Sequence, residues 1–145
     1  MSLAEIQDPV GEMLPPTIFH DKAVFIRTVR QGVPGSVIRE AIDAMGDSRD
    51  LRELFVILLE TTPGNLHRYY KRAALGRTES EEVLDTLRVI HHARTVFGDN
   101  DVAQDWLASP VPALAGEKPL TMCDTFLGRQ LVREALRKIE LGEFS

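Results

Sequence analysis

From about residue 21 onward, apolar residues recur at the 3.6-residue spacing of helices, and no segment alternates apolar and polar positions over a sustained run. The pattern predicts a first helix over about Asp21–Arg30, striped by Val24, Phe25 and Val29 and ended by Gly32. Pro34-Gly35 makes a turn, and Ser36 is placed to cap a second helix carrying Val37, Ile38, Ala41, Ile42 and Met45 on one face. Gly46 closes it. Asp47 or Ser48 then starts a third helix, to about Glu60, with Leu51, Leu54, Phe55 and Leu58 inward.

The next stretch changes character. Thr62-Pro63 reads as a hydroxyl cap followed by a first-turn proline, opening a short polar helix from Pro63 to about Arg72 with Leu66 and a tyrosine as anchors. Thr78 and Glu81 have the spacing of a capping box. They would open the longest helix, to Phe97, with Val83, Leu87, Ile90, Ala93 and Phe97 as its stripe and a length of about 28 Å. Past Gly98, one of Asp99, Asn100 or Asp101 caps a helix holding Val102, Ala103, Trp106 and Leu107, and Ser109-Pro110 stops it. Val111–Lys118 reads as a loop, and Pro119 opens a short helix to about Phe126 that Gly128 breaks. The last helix is expected over Arg129–Leu141, with Leu131, Val132, Ala135, Leu136 and Ile139 inward and Gly142 as its cap. Glu143-Phe144-Ser145 follows as a tail. The fold class is therefore all-α. Residues 1–19 hold four breakers and no period, and are expected as a flexible N-terminal arm docked only at its end.

Composition narrows the classes. At 43% hydrophobic residues in 145, the chain can bury a core. No apolar run is long enough for a membrane span, and the first residues lack the basic start and apolar stretch of a secretion signal, so a cytoplasmic location without membrane contact is expected. One cysteine, Cys123, excludes an internal disulfide and a cysteine-based zinc site.

The net charge of −5 argues mildly against nucleic acid, but its distribution does not. Residues 1–19 carry three acids and no base, and residues 98–145 carry eight acids against five bases. Between Thr61 and Arg77 lie Arg68, Lys71, Arg72 and Arg77 with no acid, and a local patch matters more than the total for phosphate contacts.

A third helix, a turn and a short basic helix give the outline of a helix-turn-helix, with Asn65, His67, Arg68, Lys71 and Arg72 outward. The same residues also read as an ordinary helix corner with a solvated basic face. Glu60 stands where such turns often prefer a small residue. Arg129, Arg133 and Arg137 fall at i, i+4 and i+8, either a cationic ridge leading to the C-terminus or a solvated face favoured by the helix dipole; spacing alone favours the latter. Trp106 reads as core or as an interface anchor. His91 and His92 point about 100° apart on a helix and cannot easily share a ligand, and Asp99, Asp101 and Asp105 fail the calcium-loop pattern because Ala103 and Gln104 stand at its fifth and sixth positions. No phosphate loop, dinucleotide fingerprint, nucleophile elbow or zinc-protease motif occurs. No catalytic site, metal or cofactor is expected, and an enzyme is not the reading.

One ordered set remains. Val96-Phe97-Gly98, Ala103, Trp106-Leu107, Ser109-Pro110, Ala113-Leu114, Gly116, Pro119-Leu120, Thr125, Gly128, Val132, Leu136, Ile139-Glu140 and Gly142 resemble the toxin-binding domain of Xre/MbcA/ParS-type antitoxins, over nearly all of residues 96–145. The upstream half is similar to the Xre-like helix-turn-helix region only loosely. The sequence departs from the family at Val111, where an Asn commonly follows the Ser-Pro.

The resemblance implies an N-terminal Xre-like helix-turn-helix bundle over residues 20–97, serving DNA binding and dimerisation. A long helix would join it to a small toxin-binding domain over residues 98–145. It implies a bacterial antitoxin of a type II toxin–antitoxin pair whose partner is a RES-domain toxin that consumes NAD⁺. The C-terminal region would close the toxin's active-site cleft, and the antitoxin or the complex would bind the promoter of its own operon. Carried onto this chain, Trp106, Arg129, Arg133, Arg137, Glu140, Gly142, Glu143 and Phe144 would face the toxin. Asn65, His67, Arg68, Lys71 and Arg72 would face DNA. A homodimer or a larger hetero-oligomer with toxin would follow from half-site recognition. The competing expectation is a stand-alone helix-turn-helix transcription regulator with a C-terminal dimerisation domain.

Overall fold

A computed structural model of the chain describes residues 14–142, and these residues contain helices and no strand. The helices are α1 (Lys22–Gln31), α2 (Ser36–Ala44), α3 (Arg49–Leu58), α4 (Arg77–Phe97), α5 (Asn100–Leu107), α6 (Pro119–Met122) and α7 (Phe126–Glu140). Two short 3₁₀ segments, Leu66–Lys71 and Pro112–Leu114, lie between them. No described helix is long and apolar enough to cross a membrane.

α4 is the axis. Its 21 residues pack against α1, α3, α5 and α7. Val83, Leu84, Thr86, Leu87, Val89, Ile90 and Ala93 are buried, because the helix is covered on more than one face. The hydrophobic core is one continuous cluster from Leu14 to Leu136. It crosses the Phe97–Gly98 junction, and polar clips cross it too. Gln104 Nε2 donates to the Met45 carbonyl at 2.6 Å, joined from the near side of the junction by Arg94 Nη2 to that of Ala44 at 3.4 Å, and Lys118 lies 3.4 Å from Asp50 across it. The first two satisfy carbonyls that the end of α2 leaves open.

Several helix starts follow local chemistry. Asp21, Ser48 and Asp99 cap α1, α3 and α5 with side-chain oxygens that accept first-turn N–H groups. α2 begins one residue earlier than expected, with Gly35 as its cap and Ser36 already helical. The docked end of the arm also forms. Leu14 and Ile18 are buried and Phe19 packs against the core, whereas residues 1–13 lie outside the described residues.

Three expectations are corrected. The Thr78–Glu81 capping box does not form. α4 starts at Arg77, and Glu79 accepts the Gly76 N–H at 3.0 Å. The start is drawn forward because Leu75 is buried and donates its N–H to the Val33 carbonyl at 2.8 Å, while Ser80 Oγ accepts from Val33 N–H at 2.9 Å.

Gly128 does not break the chain but sits in the first turn of α7, where Thr125 Oγ1 accepts its N–H at 2.9 Å. A Cβ there would come within 1.7 Å of the Met122 carbonyl oxygen, so this close crossing of α6 and α7 admits glycine alone. α7 starts three residues earlier than expected, and Leu131, about 100° from Val132 around it, lies outward rather than in the core.

The short basic helix is not an α-helix. Pro63 and Gly64 stay in the turn, and Leu66–Lys71 winds as a 3₁₀ segment with no side-chain cap. Its ends are tied elsewhere: Gly35 N–H donates to the Arg72 carbonyl at 3.0 Å, and a Cβ on Gly35 would lie 1.8 Å from the Tyr69 carbonyl oxygen. These tertiary tethers fix the segment over the α1–α2 turn and override the helical start signal.

Candidate toxin-facing helix and basic patch

The arginine stripe of α7 divides into three environments. Arg129 is 4% exposed. Its Nε bonds Asp85 Oδ2 at 2.7 Å, and its Nη1 donates to the Cys123 carbonyl at 2.8 Å. Arg129 therefore bolts α7 to α4 and to the end of α6, and it is not part of an exposed ridge.

Arg133 is half-buried and reaches the same carboxylate, Nη1 to Oδ1 at 3.1 Å. Arg88 completes the cluster at 2.6 Å, with its guanidinium 4.8 Å over the Phe25 ring. Arg137, one turn further along, is exposed.

Asp85 is the hub that sequence reading missed. Burial opposes its ionisation, but Arg133, Arg129 and Arg88 together outweigh burial and hold its carboxyl below the usual carboxylate range. Its signal in the sequence was a single acid inside the apolar run from Val83 to Ile90. Nearby, burial pushes the Cys123 thiol up to about 12, so it is inert at neutral pH.

The other residues expected to face a toxin lie on α5, on α7 and just beyond it. Glu140 is exposed, 4.0 Å from His92 Nε2. Burial lowers the His92 pKa, and Arg137, His91 and Arg133 lower it further against the opposing Glu140. Gly142 is exposed with φ +74°. Glu143 and Phe144 lie outside the described residues. Trp106 is half-buried, its ring 5.7 Å from that of Phe97, so it is part core and part surface. Sequence reading also missed an apolar face on α7: Phe126, Leu127 and Leu141 are each more than 60% exposed. Leu127 and Leu131 are four apart, one turn, on the side away from Val132 and Leu136.

The basic patch has a different construction. In a 3₁₀ turn every third residue aligns, so Leu66, Tyr69 and Arg72 share one side. Leu66 is buried, Tyr69 Oη donates to the Leu59 carbonyl at 3.3 Å, and Arg72 lies 4.1 Å over the Tyr69 ring and 3.4 Å from Glu79. Arg72 is thereby engaged within the chain. Asn65, His67, Arg68 and Lys71 are exposed. Glu60, in the turn before them, adopts φ +51°, a left-handed conformation rare outside glycine.

Among the described residues, no group of three or more His, Cys, Asp and Glu is arranged to hold a metal ion.

Comparison with known proteins bears on the half that contains α5 to α7. Residues 92–142 match the antitoxin Xre/MbcA/ParS C-terminal toxin-binding domain. The Prs ADP-ribosylating antitoxin of Sphingobium sp. is 31% identical over 134 residues, which cover 83% of this chain and 80% of that protein. This chain belongs to the Xre/MbcA/ParS-type antitoxins. The antitoxin Xre of Photorhabdus laumondii subsp. laumondii is 33% identical over 81 residues, covering 52% of this chain and 55% of that protein. The family match begins at His92, near the end of α4, and ends at Gly142, just past α7. For this antitoxin-family chain, the matched segment therefore contains the α6–α7 crossing and the whole outward face of α7.

Proposed function

We propose that the chain neutralises a RES-domain toxin that consumes NAD⁺. The outward face of α7 and the residues that follow it would lie in the toxin's active-site cleft. The observation that carries this reading is the split of α7. Arg129, Val132 and Leu136 are locked inward, while Arg137, Glu140 and the apolar Phe126, Leu127 and Leu131 stay exposed within the matched toxin-binding segment. Apolar residues flanked by charge are the usual composition of a protein interface. The word "ADP-ribosylating" in a relative's name supports the NAD⁺ part, since ADP-ribosyl transfer takes its donor from NAD⁺.

The division of labour follows. Arg129 positions α7 through Asp85 and does not touch the partner. Arg137 and the exposed edge of Arg133 meet acids at the rim of the cleft. Glu140, Glu143 and Phe144 compete there as anion and apolar plug for a pocket built for a pyrophosphate. Trp106 borders the contact from α5. The test is co-purification with the product of the adjacent gene, followed by NAD⁺-depletion assays with and without the chain. Removal of Glu143–Ser145, or Gly142→Trp, is expected to restore NAD⁺ loss. Full protection of cells by either variant would overturn the plug.

The same reading includes autoregulation of the operon promoter. Arg68 and Lys71, with Asn65 and His67 beside them, would contact phosphates from the face of the 3₁₀ segment. Six residues in a 3₁₀ turn rise only about 12 Å, too short for an inserted recognition helix. Arg68→Ala with Lys71→Ala is expected to abolish the promoter mobility shift at physiological salt while toxin binding persists. An unchanged shift would refute it.

A further inference from the structure

A second cluster of charge lies in the valley between α4 and α7, where the Leu14–His20 turn closes one end. Two adjoining cavities of about 320 and 230 Å³ share His92 and Arg133. The larger adds Phe19, His20, Arg88 and His91, and the smaller adds Gln130, Glu134 and Arg137. The rings form a wall: Phe19 and His91 are 5.0 Å apart at 31°, and His20 meets His91 edge-on at 5.3 Å. His91 and His92, which diverge around α4, thus line one cavity because the valley wraps the helix.

The charges here are poorly matched. Asp85 alone serves Arg88, Arg129 and Arg133. Among the described residues, no acid lies within 4.0 Å of the Arg137 guanidinium. Among the described residues, the other acids facing the valley are Glu134 and Glu140, both exposed at its rim.

We propose that this valley binds a small phosphate-class anion, either a free inorganic phosphate or the diphosphate of a nucleotide. The forked guanidiniums of Arg133 and Arg137 grip it beside the His92 imidazole in the smaller cavity, and His20 and His91 line the adjoining larger one. Planar guanidinium forks match phosphate oxygens, and imidazole N–H groups add further donors. A bound anion also offsets the mutual repulsion of these cations. The concave shape, walled by three elements, favours a small molecule over a DNA backbone, and the larger cavity has the volume of a small ligand site. The site needs no toxin and stands or falls apart from the toxin reading.

The experiment titrates the full chain with sodium pyrophosphate and, separately, with ADP, at ionic strength held constant with sodium chloride. It reads the histidine ring signals by NMR and the Tm. Pyrophosphate is expected to shift the His91 and His92 signals saturably below about 1 mM and to raise the Tm. Affinity should fall at least about tenfold in Arg137→Gln and in His92→Gln, and should strengthen as pH drops below 6.5 and His92, whose pKa burial lowers, gains charge. Arg137 is exposed, so its replacement leaves the fold intact. Tighter binding of ADP than of pyrophosphate assigns a nucleotide, and equal or weaker binding assigns the free anion. No saturable shift by about 10 mM would overturn the proposal. So would affinity indifferent to Arg137→Gln, or duplex DNA that binds through Arg137 and is not displaced by pyrophosphate.

Discussion

The α4–α7 seam and the Leu66–Lys71 segment with its cap Arg72 both concentrate basic side chains, and they use them in opposite ways. In the seam, charge is buried, shared and geometrically fixed: three guanidiniums converge on Asp85, and one of them also holds the Cys123 carbonyl. At the 3₁₀ segment, only the capping Arg72 is engaged, by a tyrosine ring and a half-buried glutamate, while Arg68 and Lys71 stand in solvent. The difference separates architecture from availability. A buried charge must keep its partners, because an uncompensated ion in the interior is costly, whereas an exposed one can exchange water for a phosphate at little cost.

The comparison can be broken at the seam first. Gly128→Ala forces a methyl onto the Met122 carbonyl at the α6–α7 crossing and should cost about 3 kcal/mol or more, read by chemical denaturation. A change under about 0.5 kcal/mol would mean that the crossing is loose. Arg129→Ala should follow, at about 2–4 kcal/mol, because Asp85 keeps Arg133 and Arg88 but loses its deepest partner. Pairing Arg129→Met with Asp85→Leu should recover much of that loss, which a double-mutant cycle would measure.

Acid probes the same seam. The folded Asp85 pKa is depressed below its ordinary 3.8, so its contribution is present above that pH and is lost as pH falls through the lower folded value. His92 acts earlier. Its folded pKa lies below the ordinary 6.5, so the unfolded chain takes up a proton first and stability declines as pH drops below 6.5. His92→Gln should flatten that first decline in a Tm-versus-pH series and leave the Asp85 phase in place.

On the basic side the effects should be small. Glu60→Gly relieves a left-handed residue and should stabilise by about 1 kcal/mol or less, seen as a raised denaturation midpoint. Arg68→Ala with Lys71→Ala should leave stability within about 0.5 kcal/mol, so that any loss of DNA binding is a loss of contact alone.

The two regions also differ in how much the sequence disclosed. Helix phase was legible wherever a polar cap and an apolar stripe agreed, as at Asp21, Ser48 and Asp99. The inward face of α7 was legible at Val132 and Leu136. Arg129, three and seven residues before them, lies on that same face, but its charge made it look like surface; only a buried partner 44 residues away reverses that. Thr125 carried the true start of α7, yet Gly128 masked it, because a glycine required by close packing looks the same in sequence as a glycine that ends a helix. The 3₁₀ segment was least legible. Thr62-Pro63 is a sound local signal, and it yields to tethers from Gly35 that no local pattern encodes. The expectation that these residues face a toxin came chiefly from the ordered family resemblance, since spacing alone favoured a solvated face.

Cys123 turns the seam into something that can be timed. It is the chain's one thiol, fully enclosed beneath the α6–α7 crossing, with a pKa of about 12. An alkylating reagent can reach it only when α7 lifts away from α6, so the labelling rate counts openings of the seam. A bound partner that clamps α7 would slow that clock, whereas one that seizes only the tail beyond Gly142 would leave it running at the same rate.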